Sequence, residues 1–359
     1  MSARVAVIPG DGIGPEVVPV ALGVTAAAFD VTGRELPTFD YLPWGSQHYL
    51  ETGRMMPSDG LDVLAAYDAI YFGAVGSALV PDHVTVWELI LPIRQTFDQY
   101  VNVRPARVLH KSLSPLRGEA VLDVVIVREN SEGEYSGAGG RVHVGTPDEV
   151  AIQSGVFTRR AIERVVEYAF ALAATRPRRR VASATKSNAW AHAMTLWDEV
   201  CMEVAARHPE IEFSKYHVDA LAARFVTAPG SLDVVVCSNL FGDILSDLAA
   251  ALSGGLGIAG SANLDPTRRH PSMFEPVHGS APDIAGTDCA NPFGGVWACA
   301  LMLDHLGCPE EASLLLAALE LAASSPSTRT GDLGGEATTR ACGGALERLV
   351  RSSAEVGAP

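Results

Sequence analysis

Short apolar runs rich in Val and Ile punctuate the chain: RVAVIP from residue 4, DAIYFGAV from 68, LDVVIVREN from 122, RVASATK from 180 and LDVVVCSN from 232. Stretches of helical period separate them. The clearest spans residues 159–173, where Ile162, Val165, Val166, Ala169, Phe170 and Ala173 recur on one face. Strands alternating with helices of this length predict βαβ units, a largely parallel sheet and an α/β fold. Polar residues stand where the strands give out: Arg128, Lys186, Ser238 and Asn239. That edge of an open α/β sheet is where ligands bind. The Gly-rich stretch 253–261 is the natural crossing between domains, and no internal repeat interrupts the pattern.

Composition narrows the classes of partner. With 359 residues, 48% of them apolar and 19% charged, the chain is long enough for two domains. A net charge of -15 disfavours nucleic acid and anionic membrane, whose binding needs clustered Lys and Arg. The one basic run, Arg176 with Arg178, Arg179 and Arg180, reads as a solvated helix end. Six scattered cysteines without a C-x-x-C pair read as reduced core residues of a cytoplasmic protein. No apolar run is expected to approach the 18 residues of a membrane span.

Three aspartates carry the chemistry: Asp219 in YHVDALAARF, and Asp243 with Asp247 in CSNLFGDILSD. The last two are four apart on a predicted helix, so both carboxylates leave one face and can share a hard cation. Without a counter-charge, two such groups about 4 Å apart repel by roughly 4 kcal/mol at an effective dielectric near 20. Arg94, Arg104 and Arg128 are each embedded in apolar sequence, where an unpaired guanidinium is costly. A carboxylate is the natural partner, either internal or on a small di-acid. Tyr135 and Lys186 are the plausible acid and base; a lysine where a strand meets a helix, close to a cation, has its charged form disfavoured. The loop PGDGIGPEV has Gly10, Gly12 and Gly14 between a strand and a helix, but the third glycine falls one place early for a Rossmann fingerprint. It predicts a tight turn with Pro15 at the first helical position.

Taken in order, GDGIGPEV, FDQYVNVRP, VIVRENSEGEYSG, SATKSN, CSNLFGDILSDL, FEPVHGSAPDIAG, ANP and DLGGEATT make the chain resemble the β-decarboxylating dehydrogenases. That family contains isocitrate, 3-isopropylmalate, homoisocitrate and tartrate/D-malate dehydrogenases, and DHVTVW with SANLDPTRRHPSMFEPVHGSAPDI is most similar to the tartrate/D-malate branch. The resemblance implies an isopropylmalate/isocitrate dehydrogenase-like two-domain α/β fold with a mostly parallel, non-Rossmann sheet. Residues 1–102 with 256–359 would form the cofactor domain, and 103–255 a central domain with metal site and dimer interface.

The same resemblance implies site residues. Arg94, Arg104 and Arg128 would hold the carboxylates of a malate-type di-acid. Tyr135 and Lys186 would be acid and base, and Asp219, Asp243 and Asp247 would bind Mg2+ or Mn2+. Lys186 and Asp219 would cross to the second subunit of a homodimer with shared active sites. His278, Gly279, Ser280, Ala281 and Asp283 would hold the cofactor, with Asn291 near the adenine. Asp283 favours NAD, because a carboxylate accepts hydrogen bonds from ribose hydroxyls and repels a 2′-phosphate. The implied activity is oxidative decarboxylation of D-malate or tartrate to a pyruvate-type product, CO2 and NADH. Glu88, where the tartrate branch usually has Gly, and the apolar run 89–93 leave 3-isopropylmalate or another alkyl-malate as the alternative substrate. A non-catalytic regulatory subunit is the reading from another class, and the intact Tyr135, Lys186 and three aspartates oppose it.

Overall fold

A computed structural model of the chain describes residues 2–117 and 122–356. Among them are twelve strands: β1 (Arg4–Gly10), β2 (Thr38–Tyr41), β3 (Ala69–Ala74), β4 (Val101–Arg107), β5 (Asp123–Glu129), β6 (Gly133–Val142), β7 (Val150–Val156), β8 (Arg180–Thr185), β9 (Glu212–His217), β10 (Val234–Cys237), β11 (Gly260–Leu264) and β12 (Ser272–Pro276). All five apolar runs named above are strands. The backbone divides into two compact units, Met1–Gln99 with Arg107–Glu119 and Ala250–Pro359, and Tyr100–Ala106 with Ala120–Ala249.

In the first unit the strand order is β2-β1-β3-β12-β11. Its pairs are parallel except β11 against β12. Val5, Ala6, Val7 and Ile8 are wholly buried, which explains why β1 reads as a continuous apolar run rather than an alternating one. The helix Gly14–Thr32 packs with the helices Phe293–His305, Pro309–Ser324 and Thr339–Val356. It begins one residue before the expected start, so Pro15 is its second residue. Against expectation, this helix is long and apolar enough to cross a membrane. Its apolarity belongs to the core instead: Val17, Val18, Ala21, Val24, Ala27 and Ala28 are fully buried.

The second unit orders its strands β4-β5-β10-β8-β9, with β5 and β10, β10 and β8, and β8 and β9 paired in parallel. The helix Arg159–Thr175 buries all six residues that its period selected, and Thr158 caps it by accepting a hydrogen bond from the Ala161 N–H at 3.2 Å. A separate hairpin, β6 with β7, pairs antiparallel and leaves Val142, Val144, Val150, Ile152 and Val156 exposed.

Three other expectations change. The basic run is solvated only in part: Arg179 is exposed, but Arg176 donates to Asp233 at 2.5 Å and Asp123 at 3.0 Å, Arg178 pairs with the same two carboxylates, and Arg180 reaches Glu212 at 2.8 Å. Asp233 is completely buried at its side chain, so it needs those cations. Cys289 is exposed while the other five cysteines are buried, and all six are free. The apolar run after Glu88 faces inward: Leu89 and Ile93 sit in a core cluster with Ile8, Phe72 and Phe97, and Leu91 is also buried.

His305, at the end of its helix, gives a pH dependence with a definite sign. Burial, assisted by the charge of Arg268, pushes its imidazolium down to about 4 from 6.5. Between those values the unfolded chain binds a proton that the folded chain refuses, so this group's contribution to stability falls as pH falls. Urea midpoints measured from pH 6.5 to 4 are expected to drop less steeply in His305→Gln than in the parent protein; parallel curves would contradict the assignment.

Candidate active site

The main cluster forms in the second unit, where β4, β5 and β6 bring side chains to the helix Asn239–Ser253. That helix follows β10 directly and places Asp243 and Asp247 one turn apart, as their spacing requires. Arg128 lies in β5, opposite Cys237 of β10. Its Nη1 donates to Asp243 Oδ1 at 2.5 Å, while Nε and Nη2 both donate to Asn239 Oδ1, at 3.0 and 2.7 Å. The guanidinium is therefore held in a fork between two residues of one helix turn.

Gly242 makes that approach possible. A Cβ there would lie 2.5 Å from Arg128 Cγ and 2.6 Å from its Cβ, so any larger residue would push the arginine stem off the helix. Arg104, from β4, donates Nη1 to Ser246 Oγ at 2.7 Å and to Asp243 Oδ1 at 3.3 Å, with Asp247 Oδ1 3.7 Å away. Tyr135, from β6, donates its hydroxyl to Asp243 Oδ2 at 2.8 Å. Burial and then the adjacent Asp243 raise the phenol above its ordinary range, which keeps it protonated. Asp247 is also raised, by burial first, with Arg104 pulling the other way.

Asp219 and Lys186 stand apart from this cluster. Asp219 opens the helix Val218–Thr227, directly after β9. Lys186 follows β8, but no helix begins there: the chain turns, Ala189 and Trp190 donate to the Lys186 carbonyl, and the next helix starts at Ala193. The lysine ammonium donates to Asp219 at 2.7 Å. That pairing lowers the Asp219 carboxyl below the usual carboxylate range.

As donors for a divalent ion, Asp243 and Asp247 fit. Both offer hard oxygens to one place, where they now converge on Arg104. Among the described residues no group of three or more His, Cys, Asp and Glu side chains is arranged for a metal.

The first unit holds Arg94 and the cofactor-loop candidates. Arg94, in the helix Leu91–Thr96, is buried and donates Nη2 to Glu275 Oε1 at 2.7 Å, an oxygen that also accepts from Asn263 at 2.7 Å. Of the three arginines, this one has an internal carboxylate outside the aspartate helix. The segment His278–Asp283 follows β12 and lies against the glycine turn. Ile13 N–H donates to the Ser280 carbonyl at 2.9 Å, and Gly12, with φ +58°, has its Cα so close that a Cβ would be 1.9 Å from that same oxygen. Only glycine satisfies both conditions.

The donor set in this loop fits a nicotinamide dinucleotide. His278 has its Nδ1 2.8 Å from the Gly279 carbonyl while its buried Nε2 has no partner, and burial lowers its pKa so that the ring stays neutral. A buried ring nitrogen of this kind calls for a polar ligand atom. Asp283 is exposed. Asn291 is differently employed: its Oδ1 accepts from Phe293 N–H and its Nδ2 donates to Asp332, both at 2.9 Å.

Asn239, Ser246 and Gly242 complete the cluster, and neither Ser246 nor Gly242 carries a signal in the sequence. Asn239 was visible only as a polar residue past a strand end.

The isocitrate/isopropylmalate dehydrogenase family matches residues 4–347. A probable tartrate dehydrogenase/decarboxylase of Agrobacterium vitis is 51% identical over 94% of this chain and 93% of its own. The decarboxylating D-malate dehydrogenase of Escherichia coli is 50% identical over 97% and 98%. The tartrate dehydrogenase/decarboxylase of Pseudomonas putida is 48% identical over 96% and 97%. Among solved structures, an isocitrate dehydrogenase from Methylococcus capsulatus superposes with a TM-score of 0.89 at 34% identity, covering 98% of this chain and 100% of that one. Cluster, fold and relatives lead to one conclusion: the chain belongs to the isocitrate/isopropylmalate dehydrogenase family of decarboxylating dehydrogenases.

Proposed function

We propose that the protein oxidatively decarboxylates D-malate or a tartrate, using NAD and Mg2+ or Mn2+. The observation that carries this reading is the convergence of Arg104, Arg128 and Tyr135 on Asp243, with Asp247 one turn away. Two guanidiniums suit the carboxylates of a small di-acid, and the two aspartates suit an oxygen-liganded cation. The burial of Leu89, Leu91 and Ile93 removes the apolar lining that an alkyl-malate would use, and so favours the unsubstituted or hydroxylated substrate.

When bound, the cation acidifies the substrate hydroxyl and the nicotinamide accepts the hydride. Arg104 and Arg128 orient the di-acid, and the family resemblance assigns Arg94 to its carboxylates as well. Lys186 takes the hydroxyl proton. The phenol of Tyr135, kept protonated by burial and Asp243, delivers a proton to the carbon that CO2 leaves. His278, Gly279, Ser280, Ala281 and Asp283 would hold the dinucleotide, with Asp283 on the ribose, while Asn291, whose amide is engaged with Phe293 and Asp332, would meet the adenine only through its stem.

The cation requires a third aspartate, and we assign it to Asp219 of a second copy, together with Lys186. Support comes from the position of the Lys186–Asp219 pair outside the main cluster and from the exposed apolar face of the β6–β7 hairpin, a surface suited to a homodimer contact. Six free cysteines suit a reducing, cytoplasmic setting.

Turnover of D-malate and tartrates, compared with 3-isopropylmalate, isocitrate and homoisocitrate in the presence of NAD and Mn2+, tests the reading. Activity should vanish with excess chelator, and Asp243→Asn should lose at least about a hundredfold in kcat/KM, since it weakens the cation site and frees both arginines. Preference for 3-isopropylmalate, or full turnover without metal, would defeat it.

Cofactor choice has its own check. The parent protein should use NAD far better than NADP, and Asp283→Lys should narrow the ratio of their kcat/KM values, because the new cation can pair with a 2′-phosphate. Equal use of both cofactors by the parent would contradict the role of Asp283.

Shared active sites make a third expectation. Lys186→Ala and Tyr135→Phe proteins, each nearly inactive alone, should recover roughly a quarter of parental activity when equal amounts exchange subunits at random, since about half the dimers are then mixed and each has one intact site. Demonstrated exchange without recovery would place both residues in one subunit's site.

A further inference from the structure

At the opposite end of β1 from the glycine turn lies a cavity that the dehydrogenase reaction does not use. Its volume is about 670 Å3, and its wall includes Ser2 and Ala3 before β1, Pro37 before β2, Asp68 before β3 and Pro271 before β12. Those are the N-terminal strand ends of the first unit. At about 3.3 Å per residue, the seven residues of β1 separate this cavity from Gly10 and the cofactor-loop candidates by roughly 20 Å.

We propose that this cavity is a binding site for a small phosphate-bearing anion. The cations in its wall come from two segments, Arg34 after the first long helix and Arg268 with Arg269 in the loop between β11 and β12. Arg34 is fastened in place by Glu311 at 3.0 Å and by the Gly307 carbonyl at 3.4 Å. Arg268 and Arg269, by contrast, have no carboxylate within ion-pair distance among the described residues, although the chain as a whole is strongly acidic.

The loop that presents them is built rather than loose. Asp265 is 1% exposed, and its carboxylate accepts hydrogen bonds from the N–H groups of Thr267, Arg269 and His270 and from the Thr267 hydroxyl. This fold of the backbone forces Arg268 into the left-handed region, at φ +56°, which a non-glycine residue adopts only at a cost. His305 is also in the wall.

Two carboxylates also line the space. Asp68 accepts the Arg4 N–H at 2.8 Å and keeps its charge, as does Glu35, so a ligand would meet carboxylates as well as cations in the same wall. Cations supplied from two segments suit a ligand with several anionic groups, and the planar donor forks of arginine match phosphate oxygens. The volume lies within the usual range for small-ligand sites and admits either a bare phosphate chain or a nucleotide.

Calorimetric titration of the whole protein with tripolyphosphate and with ATP, in saturating NADH and at low salt, tests the assignment. We expect one site per chain for tripolyphosphate, weakened by added salt. Affinity should fall by about tenfold or more in the Arg268→Ala/Arg269→Ala double variant, since a charge-assisted hydrogen bond is worth that much. The Arg268→Lys/Arg269→Lys variant keeps the charge without the fork and should fall between the two. Equal affinity for ATP and tripolyphosphate would identify the phosphate chain as the part recognised, and tighter ATP binding would add the nucleoside to it. Absence of binding, or binding that survives in a folded double-alanine variant, would overturn the proposal.

Discussion

The Asp243 carboxylate organises the reactive part of this protein. Two guanidiniums and one phenol donate to it, from three consecutive strands that lie more than a hundred residues before it in the chain. Arg128 is almost completely buried, and a guanidinium in that position is tolerable only with an anion beside it. Asn239 holds the remaining edge of Arg128, and Gly242 leaves room for its stem. One turn of helix therefore sets the partner, the orientation and the clearance of the same arginine. The aspartate that pairs with both arginines is also a metal-ligand candidate, so a cation bound there would compete with the two guanidiniums for one group.

Elsewhere the fold relies on the same economy of paired charges. The arginines at 176, 178 and 180 are joined to Asp123, Asp233 and Glu212, which ties the end of the helix Arg159–Thr175 to the starts of β5 and β10 and to β9. Asp265 performs the equivalent task with backbone N–H groups instead of cations, and so shapes the loop after β11. Asp11 does so at the glycine turn, where it accepts from Ser46 and from the Gly76 N–H. Buried or half-buried carboxylates thus fix loops at both ends of the first unit's strands, each satisfied by several donors.

Function and fold separate along these lines. Strands deliver side chains to their C-terminal ends, where Arg128, Lys186 and Asn239 appear, in keeping with the general behaviour of open α/β sheets. The opposite ends hold a different population: arginines of a loop and of a helix end around a cavity, with no member of the dehydrogenase cluster among them.

What could be read from the chain alone was whatever has a short period or a short spacing. The five apolar strands, the buried face of residues 162–173, the two aspartates one turn apart and the glycine turn all follow from local stereochemistry. The order of motifs was sufficient for the family. Pairings were another matter, because no periodicity encodes which charge meets which: Arg128 and Asp243 are 115 residues apart, and Arg94 and Glu275 are 181 apart. Tertiary structure decided that Arg94 has an internal carboxylate, that Lys186 lies in a turn against Asp219, that three arginines of the basic run meet carboxylates, and that Leu89 and Ile93 face the core. In each case the deciding quantity is the cost of leaving a charge or an apolar surface without a partner, and that partner is known only once distant segments have been packed together.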